Sequence, residues 1–150
     1  MPESQDGSWP AGTWLGFDFG LRRIGVAVGQ TATRTASPLL VARHGRQQPD
    51  WSQLMSVVQE WRPVGLVVGL PLGPAGEQTP MAEKALAFGQ GLAKRAGLPL
   101  ATMNERMTSL AAERDFAARR AAGTARRRDA GQLDAVAAAM ILSNWLQSHP

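Results

Sequence analysis

Trp14-Leu-Gly-Phe-Asp18-Phe-Gly20-Leu-Arg-Arg-Ile-Gly25-Val-Ala-Val28 contains two strand-like runs with a break between them. Its β-branched and aromatic content reads as extended chain, and the interruption at Gly20-Leu-Arg-Arg predicts a hairpin joining strands over 13–19 and 24–28. Asp18 is the only charge between Asp6 and Arg22. A carboxylate in so apolar a run costs free energy unless something compensates it, and a bound cation is one such compensation. Gly20 leaves room beside it for a ligand.

Outward from the hairpin, 36–42 reads as a third extended run. Pro38 cannot donate to a ladder, so this run belongs at a sheet edge or at a strand's beginning. Asp50 caps a helix reaching Trp61, with Trp51, Leu54, Val57, Val58 and Trp61 spaced by threes and fours, and Pro63 stops it. The period then changes. Val64-Gly-Leu-Val-Val-Gly69 is a short continuous apolar run, as a strand buried on both faces would be. Thr79-Pro80 starts a helix that ends near Gly97, and 98–103 makes a fifth strand. Thr108 or Ser109 caps a third helix, and 131–147 forms the last. This order predicts an α/β fold: a mixed five-stranded sheet, antiparallel in its first three strands and parallel in the fourth and fifth, flanked by helices. The first strand then lies beside the fourth, with the fifth beyond it.

At 150 residues the chain fits one domain with a sizeable core. Residues 1–12 read as a flexible tail and 13–150 as the domain. Without cysteine there are no disulfides or thiolate metal sites. The first dozen residues lack the apolar core of a secretion signal, and the longest apolar stretch, 135–142, is far shorter than a membrane span. A cytoplasmic location is expected. Fourteen of the sixteen basic residues are arginine, and seven of those fall in 106–128 against only Glu113 and Asp115. Guanidinium groups grip phosphate in two-point contacts, so Arg22, Arg23, Arg106, Arg119, Arg120, Arg126, Arg127 and Arg128 are candidates for holding a nucleic-acid backbone. A solvated helix face would carry the same charges.

Two further acids stand in otherwise uncharged or cationic surroundings. Glu105 follows the fifth strand, and Asp134 is the sole charge of the last helix. With Asp18 they form a set of hard oxygen donors of the kind Mg²⁺ or Mn²⁺ prefers, and such ions commonly take one or two carboxylates each. Two ions so held could activate water and hold a scissile phosphodiester, with no histidine base required. Each acid also has a structural alternative: a strand-end turn for Asp18, a pair with Arg106 for Glu105, and a favourable first-turn position for Asp134. The loop Gly69-Leu-Pro-Leu-Gly-Pro carries no bulky charged side chain; it either leaves space for a substrate or is a tight turn.

Four segments together resemble one family. Gly16-Phe-Asp18-Phe-Gly20 with Arg23-Ile-Gly25-Val-Ala-Val, Val67-Val-Gly69-Leu-Pro71-Leu, Asn104-Glu105-Arg106-Met-Thr108 and Leu133-Asp134-Ala-Val-Ala-Ala-Ala-Met-Ile-Leu142 are similar to the YqgF family of Holliday-junction-resolvase-like proteins, also described as pre-16S ribosomal RNA nucleases. The resemblance implies a ribonuclease H-like fold and a metal-dependent nuclease with Asp18, Glu105 and Asp134 at the acidic positions. It also implies an RNA (pre-16S rRNA) or branched-DNA substrate, pre-ribosomal particles as partners, and a cytoplasmic role in ribosome biogenesis. Asn104 stands where the family usually has Asp, and Gly73 where Asn is common. Asn104 suggests a second reading, an RNA-binding assembly factor with little chemistry. An actin-like ATPase half is the third, resting on Asp18-Phe-Gly20 alone.

Overall fold

The computed structural model describes residues 9–45, 48–104 and 132–149. Strands β1 (Thr13–Phe19), β2 (Arg23–Gln30) and β3 (Thr35–Arg43) run antiparallel, and β4 (Gly65–Leu70) and β5 (Leu100–Asn104) are parallel to β1. The order across the sheet is β3-β2-β1-β4-β5. This is the mixed sheet expected from the sequence, with the fourth strand beside the first. β3 is an edge strand, as Pro38 requires, and the ladder slips there: Val26 faces Leu40 while Ala27 faces Pro38. The slip leaves Leu39 unopposed, a bulge that lets the edge tolerate the missing donor.

Helix α1 (Trp51–Trp61) begins where Asp50 accepts a bond from the Gln53 amide, and ends at Arg62 in the left-handed conformation just before Pro63. Helix α2 (Pro80–Ala96) is capped by Thr79, whose hydroxyl accepts from Ala82 N at 3.1 Å and donates to Pro71 O at 2.8 Å. Gly97 closes it in the left-handed region at φ 68°. Helix α3 (Leu133–Ser148) is alanine-rich, favourable for helix and thin enough to lie close to a sheet. The helix expected from 108 or 109 lies outside the described residues.

Strand alternation divides the core in two. Leu15, Phe17, Phe19, Ile24, Val26, Leu66 and Val68 pack against α1 and α2. Trp14, Ala27, Val67 and Ala101 face the opposite side and pack against α3 through Ala138, Ile141, Leu142 and Trp145. Of the segment read as a tail, residues 9–12 are held to this second core. The Trp9 ring meets those of Trp14 and Trp145 edge-on, Trp14 Nε1 donates to Pro10 O, and Gly12 N donates to the Thr31 hydroxyl. No helix among the described residues is long and apolar enough to cross a membrane.

Candidate nuclease site

Asp18 is the penultimate residue of β1 and shares a face with Trp14 and Gly16, since side chains repeat every second residue. That face belongs to α3. A Cβ on Gly16 would press on Leu142 and the Ala138 carbonyl, so the bare strand lets α3 lie directly on β1. Gly25, the cross-strand partner of Asp18, is the closer contact. A Cβ there would collide with the carbonyl of Asp134, so the first turn of α3 rests on the backbone beside Asp18. Asp134 therefore arrives at the acid of β1 because two glycines remove the side chains in its way.

The electrostatics bear the marks of this convergence. Burial, and then the neighbouring charge of Asp134, push the Asp18 carboxyl from 3.8 up to about 7. Burial also raises Asp134, opposed by Arg23. Arg23 Nε stands 3.1 Å from Asp134 Oδ2, with the two side chains 47% and 29% exposed. Oδ2 itself is buried and has no hydrogen bond, so the pair attracts without aligning. With Arg23 this open to water, the pair contributes only about 0.2–1 kcal/mol. Two carboxylates brought near each other, one with an oxygen that Arg23 meets without an aligned hydrogen bond, gather acidic groups that one half-exposed guanidinium only partly offsets. A divalent cation fits such a donor set.

Arg23 was expected at the turn. It is instead the first residue of β2, which turns it toward α3. Its partnership with Asp134 is invisible in sequence, where the two are far apart. Arg22 is exposed in the hairpin turn, and its carbonyl accepts from His44 N. The bareness of Gly20 serves that turn: Gly20 N donates to Arg23 O at 2.9 Å, and a Cβ would strike that same carbonyl. Its own carbonyl is 2.6 Å from His44 Nε2. The loop after β4 is closed on itself. Gly73 N donates to Glu77 O, and Glu77 Oε2 accepts from Ala75 N, both at 2.8 Å, so a side chain at Gly73 would meet the Glu77 carboxylate. Of the two readings of that loop, the geometry favours the tight turn.

β5 ends at Asn104, in register with Leu70 of β4. The carboxyl ends of β1, β4 and β5 thus lie together, the end of a parallel sheet where ligands usually bind. Glu105, Arg106, Arg119, Arg120, Arg126, Arg127 and Arg128 lie outside the described residues. Among the described residues no group of three acids or histidines is placed to hold a metal. The structure brings together Asp18 and Asp134, with Arg23 as an addition.

Comparison with known proteins bears on the family and the fold. The model of the RuvX family, described as Holliday junction resolvase, matches residues 12–148. The chain belongs to this family. A relative from Xanthomonas euvesicatoria pv. vesicatoria is 47% identical over 137 residues, spanning 91% of this chain and 88% of its own. One from Xylella fastidiosa strain 9a5c is 47% identical over 146 residues, spanning 97% and 94%. Both carry the name "Putative pre-16S rRNA nuclease". Among solved structures, Thermus thermophilus RuvC in complex with a Holliday junction substrate superposes with a TM-score of 0.58 at 20% identity, covering 91% of this chain and 94% of that one. The fowlpox virus resolvase bound to Holliday junction DNA gives 0.54 at 11%, covering 91% and 97%. At such identities these neighbours speak for the fold, which is the ribonuclease H-like fold of the RuvC-type resolvases. The family resemblance and fold class read from the four segments are both borne out.

Proposed function

We propose that the chain is a metal-dependent nuclease that hydrolyses phosphodiester bonds in structured nucleic acid, with the precursor of 16S rRNA as its substrate in the cytoplasm. The observation that carries this reading is the meeting of Asp18 and Asp134 on one side of the sheet, with Asp134 Oδ2 buried and lacking a hydrogen bond. The relatives' name and the family description support the substrate class.

Asp18 and Asp134, joined by Glu105, would hold Mg²⁺ or Mn²⁺. Bound there, such ions supply the positive charge that makes water nucleophilic and steadies the leaving oxygen. The protein's own groups do the rest. Asp18 gives up the proton it holds below pH 7 when a cation is present, since a nearby positive charge favours the ionised form. The α3 turn seated on Gly25 keeps the two carboxylates in one place before substrate arrives, so little reorganisation is left for the reaction itself. Arg23 offers a planar donor fork next to the acids, suited to a phosphate oxygen of the same strand, and Arg22 extends the cationic rim over the hairpin. The arginines of 106–128 would contribute the more distant phosphate contacts.

The test is cleavage of a pre-16S rRNA fragment and of a four-way DNA junction in Mn²⁺ by wild type, Asp18→Asn and Asp134→Asn. Cleavage of the RNA by wild type alone is the expected result; the junction cut in preference would shift the substrate to branched DNA. Cleavage by Asp18→Asn at the wild-type rate would remove the assignment. An assembly factor without chemistry, the reading suggested by Asn104, would bind the RNA and leave it whole in every case.

A further inference from the structure

Arg23 and Arg43 face each other directly across the β2–β3 ladder. Opposed residues of an antiparallel pair point to the same side with Cβ atoms about 4.5–5.5 Å apart, and like charges so placed destabilise a sheet. Arg23 is partly offset by Asp134. Arg43 is exposed and has no ion-pair partner among the described residues. Both line a cavity of about 370 Å³ whose remaining walls are Pro38 to Val41 of the edge strand and Gln132 and Ala135 of the first turn of α3. The side chain of Gln132, at the N-cap, makes no capping bond and so is not committed to the helix. Among the described residues no acid lines this cavity, and Asp134, next to its wall at Ala135, already faces Arg23.

We infer that this cavity is a phosphate subsite, in which Arg23 and Arg43 grip a nucleic-acid backbone phosphate flanking the one cut at Asp18 and Asp134. The inference rests on the nuclease reading above and specifies how the substrate strand leaves the acids, across the bulged edge of β3. An anion between the two guanidinium groups turns their mutual repulsion into shared attraction. Two planar forks around one phosphate recognise the backbone and no base, so the subsite positions a strand without reading its sequence. Because Arg23 also faces Asp134, a phosphate seated here draws the guanidinium away from that carboxylate and leaves it more fully available to a cation. Substrate and metal would then assist each other's binding.

The full-length protein tests this by fluorescence anisotropy with a labelled RNA hairpin in EDTA, at several KCl concentrations. Arg43→Gln should weaken binding roughly tenfold and reduce the slope of log affinity against log salt by about 1, whereas Arg43→Lys should keep the slope. Lys94→Gln, in the last turn of α2 at the other end of the sheet, should match wild type. Thermal melting adds a measurement independent of RNA: inorganic phosphate, compared with chloride at equal ionic strength, should raise the Tm of wild type and not that of Arg43→Gln. Binding and slope unchanged in Arg43→Gln, an equal loss in Lys94→Gln, or equal stabilisation of both proteins by phosphate would each overturn the subsite. Failure of the nuclease reading would show instead as RNA left whole by wild type in Mn²⁺, a signal that binding in EDTA does not contain.

Discussion

Replacing Asp18 with asparagine should stabilise the metal-free protein at neutral and higher pH. Burial and the charge of Asp134 raise the Asp18 carboxyl from 3.8 to about 7. Between those values the folded chain keeps a proton that the unfolded chain has released. The contribution of Asp18 to stability is therefore fully present below about pH 4 and is lost as the pH rises through 7. Above pH 7 both states are ionised, and the folded state bears the whole cost of an ionised, half-buried acid beside another acid. At about 1.4 kcal/mol per pH unit, the displacement from 3.8 to about 7 sets a ceiling of about 4 kcal/mol. Asp18 is partly reached by water, which screens the charge and brings the expected gain to about 2–3 kcal/mol. Asparagine keeps the shape and carries no charge. For a chain of this length the gain corresponds to a rise in Tm of roughly 4–12 °C. Urea unfolding in EDTA at pH 8 should show it, and the difference should vanish near pH 4. Adding Mn²⁺ should reverse the order, since wild type, with all its carboxylates, gains more from ligand binding. Equal or lower stability of Asp18→Asn at pH 8 in EDTA would refute the placement of Asp18 beside Asp134 in a poorly hydrated site.

Two further substitutions probe the same geometry. Gly25→Ala puts a methyl group into the Asp134 carbonyl, so the first turn of α3 must lift; unfolding should show a loss of about 3 kcal/mol and cleavage should disappear, while wild-type stability would contradict the close approach. Arg23→Gln removes the positive charge beside Asp134. By isothermal titration Mn²⁺ should bind more tightly, on the order of 1 kcal/mol, because a competing cation is gone, although nucleic acid should bind less well. Unchanged or weaker Mn²⁺ binding would argue that Asp134 is not part of the metal site.

Elements bounded by local signals are legible residue by residue. Asp50 caps α1, Thr79-Pro80 opens α2, Gly97 closes it, and Pro38 sends β3 to the edge, because each of these acts on its own stretch of backbone. The apolar run ending at Gly69 is likewise the buried interior strand that its composition describes. Readings that depend on partners elsewhere fare differently. Gly20 looks like space for a ligand and is a turn closed on Arg23. Arg23 looks like part of that turn and is the first strand residue, paired with an acid near the other end of the chain. Trp9 looks like tail and packs on Trp14 and Trp145.

Composition and order alone sufficed for the mixed α/β sheet and for singling out Asp18 and Asp134, since an isolated carboxylate in an apolar strand or an uncharged helix is conspicuous in one dimension. Their meeting depends on how closely α3 can approach β1 and β2, which is a matter of missing side chains at Gly16 and Gly25 and of thin ones along the helix. A glycine's bareness has meaning only against the atom that takes up the space. For the same reason the role of Arg23, and the second arginine facing it across the ladder, emerged only with the sheet assembled: charge acts through distance in space, and separation along the chain does not measure it.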